Sequence, residues 1–304
     1  FGPLKFSILS QHLHKDELVA GNGLVSAGTY IAILTGTLCG GLFILHEHGR
    51  ILISVGIIGV AVLGYISSCF IPKAEAPAPD MKIDLCIPRA TWQIISYVLP
   101  QKTVFRAILG ISWFWFLGSV FLSQFPTFSK DILGGNEQVS TLFLVVFSIG
   151  VGFGSTLCNK LLKGHVSGRL VPFACIGISL ATLVLYFFGL ASDKSGTLMN
   201  VWEFLRQPAS WGVIGGLFML AACGGIFSVP MYAIMQAHSS DEHRARVVAC
   251  LNVSDSFGMV MSAVFVAVML LLHLSIINIF LLMGIINLLL TPFLKKMAGV
   301  GNAE

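Results

Sequence analysis

The sequence predicts an all-α protein that crosses a membrane several times. Of its 304 residues, 56% are hydrophobic and only 11% are charged, and the mean hydropathy is +0.87. Soluble domains carry about a quarter charged residues, and their cores cannot absorb so much apolar surface. Eight apolar runs reach the roughly 20 residues that a transmembrane helix needs. Lipid is therefore the expected solvent for most of the chain.

Short polar segments separate the eight predicted spans. They read "HEHGR", "PTFSKDILGGNEQ", "NKLLKGHVSGR", "SDKSGTLMN" and "HSSDEHRAR", and a longer proline-bearing linker precedes the third span. The last two spans are joined by a tight turn, and a polar tail follows the eighth. We predict spans at 20–45, 51–71, 104–125, 138–162, 169–191, 211–236, 247–272 and 275–294.

The positive charges predict an orientation. Fourteen of the eighteen Lys and Arg residues fall on the same side as the residues before the first span. Lys and Arg concentrate in cytoplasmic segments of membrane proteins. Both ends of the chain are therefore expected in the cytoplasm. The net charge of +4 is too small to indicate nucleic-acid binding, and no nucleic-acid partner is predicted.

Cysteine and histidine give no sign of a metal site, a cofactor or an enzyme. The seven cysteines are scattered, mostly in apolar runs and without a CxxC pair, so we interpret them as small hydrophobic side chains. The "HEH" at 46–48 is interpreted as a polar turn. The spans contain no His, Asp and Glu set with metal or nucleophile–base spacing.

Glycines at four-residue spacing predict helices that approach one another closely. Small residues four apart let helix backbones come together in lipid. The pairs are Gly36/Gly40, Gly150/Gly154 and Gly212/Gly216.

An internal repeat predicts the domain organisation. Each copy runs from a proline through an apolar turn to a glutamine, then to an asparagine and a serine at the head of a span. Transporters built from two parallel halves predict such a correspondence. We expect 1–71 to end the first half, 72–103 to be a cytoplasmic linker, 104–294 to be a six-span second half, and 295–304 to be a tail. With Phe1 in place of Met, the chain is expected to be a fragment holding eight of twelve spans. The matched residues are Pro3/Pro230, Gln11/Gln236, Asn22/Asn252 and Ser26/Ser256.

Four stretches carry a family resemblance. They read "GPLKFSIL", "NGLVSAGTYIAILTGTLCGG", "ISWFWFLGSVFLSQFP" and "VPMYAIMQ…R.RVVACLN". With the two-half plan, they resemble the lysophospholipid transporter family of the major facilitator superfamily, including its forms fused to a 2-acylglycerophosphoethanolamine acyltransferase. The resemblance implies the major facilitator fold and a multi-pass inner-membrane transporter rather than an enzyme.

The resemblance also implies a substrate and partners. It implies alternating-access movement of lysophospholipid, mainly lysophosphatidylethanolamine, across the inner membrane for re-acylation. The expected partners are that substrate, membrane lipid and an acyltransferase, fused or separate. The chain departs from the family at Ser26, where members usually have an acidic residue. It also departs at Asn159, which replaces the acid of the superfamily loop motif.

Asp255 is the main candidate for a functional residue. It lies about two turns into the seventh predicted span. A charge at the bilayer centre costs about 2.5–3.5 kcal/mol, so such a residue is expected to face the bundle interior or a watery cavity. Two interpretations stay open: a contact to a substrate ammonium or coupled cation, or a structural partner between helices. Helical spacing places on its stripe Asn252, Asp255, Ser256, Met259 and Ser262.

Polar residues on two other spans complete the candidate site. Asn22 and Ser26 lie on the first span, where helix packing is the alternative. Ser112, Trp115 and Gln124 lie on the third, where Trp113 and Trp115 are alternatively lipid-interface aromatics. The phenylalanine-rich third and fourth spans offer an apolar groove for the lysolipid chain.

Basic residues in two loops are candidates for a gate. Arg169 belongs to one loop, and Arg244 and Arg246 to another, where Asp241 or Glu242 is the expected ion-pair partner. The alternative is that these charges set topology alone.

Two rival functions remain. "GTLCGG" at 36–41 resembles an antiporter motif in which Thr37 replaces proline, which favours a proton-coupled drug or small-solute antiporter. A membrane module that only recruits an acyltransferase is the other rival.

Overall fold

Helices account for nearly all of the described part of the chain. A computed structural model describes residues 8–9, 11–14, 17–44, 47–72, 86–192, 198–240 and 243–298. Eight of its helices are long and apolar enough to cross a membrane, which confirms the predicted number of spans. In chain order the helices are α1 (Leu18–Ile44), α2 (Gly49–Ser68), α3 (Ile87–Val98), α4 (Lys102–Thr127), α5 (Glu137–Leu162), α6 (Val171–Leu190), α7 (Val201–Arg206), α8 (Pro208–Ala237), α9 (Arg244–Leu271) and α10 (Ile276–Ala298).

Several helix ends differ from the predicted ones. The third span runs beyond 125, because α4 continues past Pro126 into a π-helical turn, Phe128–Ile132. A proline in a helix removes one backbone donor, and a π turn accommodates the shifted bonding. The helix α10 extends into the segment predicted as the tail.

The predicted linker contains a helix that the sequence analysis missed. Residues 73–85 lie outside the described part, but 87–98 form α3, which packs against α4 and α9. The Tyr97 ring stacks on His243 with centroids 4.4 Å apart, and its hydroxyl lies 3.1 Å from Ser240 Oγ. The linker is thus fastened to the segment between α8 and α9.

The helices pack in a definite order. The pair α5 and α8 is the most extensive contact, α6 packs on α8 and α10, and α4 packs on α8 and α9. The helix α1 packs across α5 and α8, and α2 packs against α1. Along α2 only Gly49 is buried. We call "the basic end" the end of the bundle where α1, α4, α6 and α9 begin and α5 and α8 end.

Glycines make the α5–α8 contact possible, as predicted for Gly150 and Gly154. A Cβ at Gly150 would lie 2.7 Å from the Ala221 Cβ, and one at Gly154 would meet the Ala222 backbone. Across the seam, a Cβ at Gly225 would lie 2.6 Å from the Val151 carbonyl oxygen.

The other two glycine pairs behave differently. Gly212 and Gly216 pack on the side chains of Phe188 and Leu185 of α6. The contact expected at Gly36 and Gly40 stays a prediction, since no described atom lies within 4 Å of where either Cβ would be. Spacing alone does not reveal whether a helix stands on the glycine face.

The phenylalanines of α4 and α5 form a core rather than a groove. Phe121, Phe125 and Phe143 are each at most 2% exposed. The Phe125 ring packs edge-on against Phe143 at 6.1 Å, and Phe121 packs against Phe280 of α10 at 4.8 Å. These rings fill the interior of the bundle at the end opposite the basic end. The groove that was expected for the acyl chain therefore does not lie between these phenylalanines.

Candidate functional site

Asp255 faces α4 inside the bundle. It is 9% exposed, and Ser112 Oγ donates a hydrogen bond of 2.8 Å to its Oδ1. Gly258, one turn further along α9, lets the two backbones approach, because a Cβ there would lie 3.2 Å from the Ser112 carbonyl oxygen. Two candidates from different spans are therefore in contact.

The depth of Asp255 differs from the predicted one. The helix α9 begins at Arg244 rather than 247, so Asp255 lies about three turns in, not two. The Arg-rich start continues the helix because arginine is a good helix former. Because Asp255 is only 9% exposed, its carboxylate has little access to solvent, and the bond from the Ser112 hydroxyl replaces part of its hydration.

The run from Ser112 to Trp115 bonds α4 to three other helices. Besides the bond to α9, Trp115 Nε1 donates to the Tyr232 hydroxyl of α8 at 3.0 Å, and Trp113 Nε1 donates to Asn287 Oδ1 of α10 at 3.1 Å. Both indole N–H groups point into the bundle. The interpretation of these tryptophans as lipid-interface aromatics is therefore wrong.

Asn287 and Tyr232 were missed by the sequence analysis. Asn287 is fully buried, and its Nδ2 donates to the Cys175 carbonyl at 2.8 Å and to Ser179 Oγ at 3.0 Å. A lone amide in the apolar run "LLMGIINLLL" was the available signal. Tyr232 has no comparable signal, because an aromatic ring in an apolar run is ordinary.

The rest of the predicted stripe on α9 divides between two faces. Asn252 is half-buried, and its Nδ2 bonds to the Val248 carbonyl of its own helix at 2.8 Å. Ser256 is exposed, as is Met259, whereas Ser262 is buried. Adjacent positions differ by about 100° around a helix, so Ser256 turns away from the face that carries Asp255.

The candidates on α1 and at the far end of α4 do not join Asp255. Asn22 is buried against Gln236 of α8, and Ser26 is half-buried one turn further on. Gln124 lies about 18 Å along α4 from Ser112 at the helical rise per residue, where its Nε2 donates to Ser123 Oγ at 3.3 Å. The structure thus joins Ser112 to Asp255, places Trp115 one turn further along α4 against Tyr232, and leaves Gln124 apart.

The gate candidates are at the basic end. Arg244 is 9% exposed, and its Nη2 donates to the Ser239 carbonyl at 3.3 Å. Arg246 is half-buried and Arg169 exposed. Asp241 lies outside the described residues, as does Glu242, so their ion pairing stays a prediction.

An apolar groove runs between α1 and α5. Its volume is about 390 Å³, and it is open on the outside of the bundle, where Ile31 is 62% and Phe153 51% exposed. Gly152 leaves its floor open, since no described atom lies within 4 Å of where its Cβ would be. The lining residues are Ala27, Ile31, Leu34, Ser148, Ile149, Gly152, Phe153 and Thr156.

The site described here holds no arrangement of metal ligands. Within the residues that the structure describes, no group of three or more His, Cys, Asp or Glu side chains is placed to hold a metal ion.

Known proteins resemble the chain over most of its length. The lysophospholipid transporter LplT of Escherichia fergusonii is 26% identical over 266 residues, which are 86% of this chain and 61% of that protein. The proteins of the same name from Enterobacter sp. (strain 638) and Photorhabdus laumondii subsp. laumondii are each 25% identical, over 78% of this chain and 54% of theirs. The chain thus spans less than two thirds of the length of these relatives.

A family model covers more than half of the chain. The model described as Major Facilitator Superfamily matches residues 1–205, which include the spans α1, α2, α4, α5 and α6. The eight membrane-spanning helices agree with the all-α architecture predicted for that superfamily. The chain therefore belongs to the Major Facilitator Superfamily.

Proposed function

We propose that this protein transports lysophospholipid, with lysophosphatidylethanolamine as the main substrate, across the inner membrane by alternating access. The products of such inward movement supply an acyltransferase that restores the second chain. The relatives named lysophospholipid transporters support the substrate class.

The groove between α1 and α5 is the observation that carries the proposal. A lysophospholipid has one acyl chain and a polar head, so a transporter must shield the head while the chain remains in apolar surroundings. The groove is lined mainly by apolar side chains and opens on the outside of the bundle, the surface that would meet lipid in a membrane. In the proposed organisation α1 belongs to the first half and α5 to the second, so the groove lies on the seam between them.

Asp255 is the proposed polar counterpart. Its carboxylate, held by Ser112, is a suitable partner for the ammonium of an ethanolamine head or for a coupled cation. It lies on the α4–α9 contact rather than on the α1–α5 seam. The head and the chain would therefore engage different faces of the second half.

The organisation of the chain is part of the proposal. We propose two halves that meet around the linker at 72–103, with six spans in the second half at 104–294. Both ends of the chain would be cytoplasmic, and the basic end would face the cytoplasm. Movement of the halves about their seam then exposes the groove and the polar site alternately to the two sides.

Filling the groove tests the function. Gly152→Trp places a large ring in the groove and is expected to lower uptake of labelled lysophosphatidylethanolamine into spheroplasts at least about tenfold at matched membrane abundance. Gly59→Trp is the matched control, because Gly59 lies on the lipid-facing α2 with no described atom within 4 Å of its Cβ position. Equal uptake by the two variants would contradict the proposal. Dye efflux without lysophospholipid uptake in the unmodified protein would instead favour the proton-coupled antiporter.

A further inference from the structure

Two fully buried amide side chains face each other across α1 and α8. Asn22 and Gln236 are both 0% exposed. Asn22 Nδ2 donates to Gln236 Oε1 at 2.6 Å, and Gln236 Nε2 donates to Asn22 Oδ1 at 3.1 Å. Each amide thus acts as donor and acceptor to the other. Such a reciprocal pair fixes the two helices at one register.

The amide pair lies beside an apolar cluster that closes the basic end. In these surroundings a hydrogen bond is strong, and an amide that loses its partner carries the full cost of its lost hydration. Pairing therefore matters more here than on a surface. The cluster joins α1, α5 and α8 through Leu18, Val19, Cys158, Leu162, Val229 and Ala233.

The internal repeat marks the same two residue types. Asn22 corresponds to Asn252 and Gln236 to Gln11, so the asparagine of one copy meets the glutamine of the other. A bond between the two copies of a repeat is a bond between the two proposed halves. Helices that pack only within one half would not need a hydrogen bond between the two copies of the repeat.

We propose that the Asn22–Gln236 pair is a latch that holds the basic end closed and opens once in each transport cycle. The proposal rests on the proposed function only in assigning the opening to a transport cycle. Neutral amides suit a reversible contact, because water replaces each lost bond when the end opens, whereas a buried ion pair pays a larger desolvation cost on closing.

A double-mutant cycle in the protein as its gene encodes it tests the latch. The variants are Asn22→Leu, Gln236→Leu, the two together, and the exchange Asn22→Gln with Gln236→Asn. The readout is the rate at which N-ethylmaleimide alkylates Cys158, followed by mass spectrometry in membranes without added lysophospholipid. Cys158 belongs to the closing cluster. Cys175 of α6 is equally buried but belongs to a different apolar cluster, which contains no residue of α1, and it is the internal control.

Each single Leu variant is expected to raise alkylation of Cys158 about tenfold, because the remaining amide then faces an apolar side chain across the α1–α8 contact in the closed state only. The bond from Asn22 Nδ2 to the Leu18 carbonyl lies within α1 and does not join the two helices. In the double Leu variant and in the exchange, the alkylation rate of Cys158 is expected to lie within about threefold of the rate in the unmodified protein. Neither variant leaves one amide facing an apolar side chain across the contact. Cys175 should react at the same rate throughout.

Three results would overturn the latch. The single variants leave Cys158 unchanged, the double variant equals the product of the singles, or Cys175 becomes reactive together with Cys158, which indicates general loosening. Because no substrate is present, the expected pattern combined with absent lysophospholipid uptake would refute the proposed function and leave the latch standing.

Discussion

The α5–α8 seam gives a prediction whose size follows from the structure. Gly154→Ala adds one methyl group where the Ala222 backbone of α8 already lies. A backbone carbonyl cannot rotate away as a side chain can, so the two helices must separate. Overpacking of this kind costs typically 1–3 kcal/mol, and we expect a value near the upper end, about 3 kcal/mol.

Gly152→Ala is the matched control. It makes the same change two residues away on the same helix, where no described atom lies within 4 Å of the new methyl group. Alanine is favoured over glycine in a helix interior by up to about 1 kcal/mol in soluble hosts. The control is therefore expected to be neutral or slightly stabilising, so the two variants should differ by about 3 kcal/mol or more.

Thermal denaturation in detergent, followed by size-exclusion chromatography of the surviving protein, measures the difference. Adding Gly225→Ala to Gly154→Ala should cost less than the sum of the two changes, because both push the same pair of helices apart. If Gly154→Ala is as stable as Gly152→Ala, the close contact of α5 and α8 is not the one described.

Three further predictions concern the polar site and the core. Asp255→Asn at matched membrane abundance should lower lysophospholipid uptake at least about tenfold, because it removes the charge that the substrate head or a coupled cation requires; unchanged uptake would end the functional interpretation of this residue. Asn287→Leu should lower stability by about 2–3 kcal/mol, since it leaves the Trp113 indole and a buried carbonyl short of their bonds, and an unchanged denaturation temperature would refute this. Phe125→Ala should cost about 3–5 kcal/mol through the cavity that it leaves, whereas Phe187→Ala on the lipid-facing side of α6 should cost far less; similar losses would contradict the assigned core.

Span number was predictable because it depends on local composition. Each apolar run must cross the bilayer by itself, so its length and hydrophobicity suffice. The burial of Asp255 followed from the same argument, as a charge is expensive in lipid. The identity of its partner, Ser112, could not be predicted in this way, since the contact of Ser112 with α9 depends on which helices are neighbours.

The misses have the same cause. Tyr232 and Asn287 acquire their roles from the tryptophans of α4, and no pattern in α8 or α10 alone specifies that contact. Gly36 has the right spacing for a close helix contact, but no described atom lies within 4 Å of its Cβ position. The helix α3 was missed because it has only 12 residues, too few to cross a bilayer, and packing on α4 and α9 stabilises it.

The bonds from the run Ser112–Trp115 have a mechanical consequence. Within one turn, α4 is held to α8, α9 and α10 together, so it cannot bend or rotate alone without losing several bonds in a region without water to replace them. The helices α4, α8, α9 and α10 are then expected to move together. Any large relative motion would fall on the contacts along α1, where the amide pair of Asn22 and Gln236 is the side-chain hydrogen bonding described between α1 and α8.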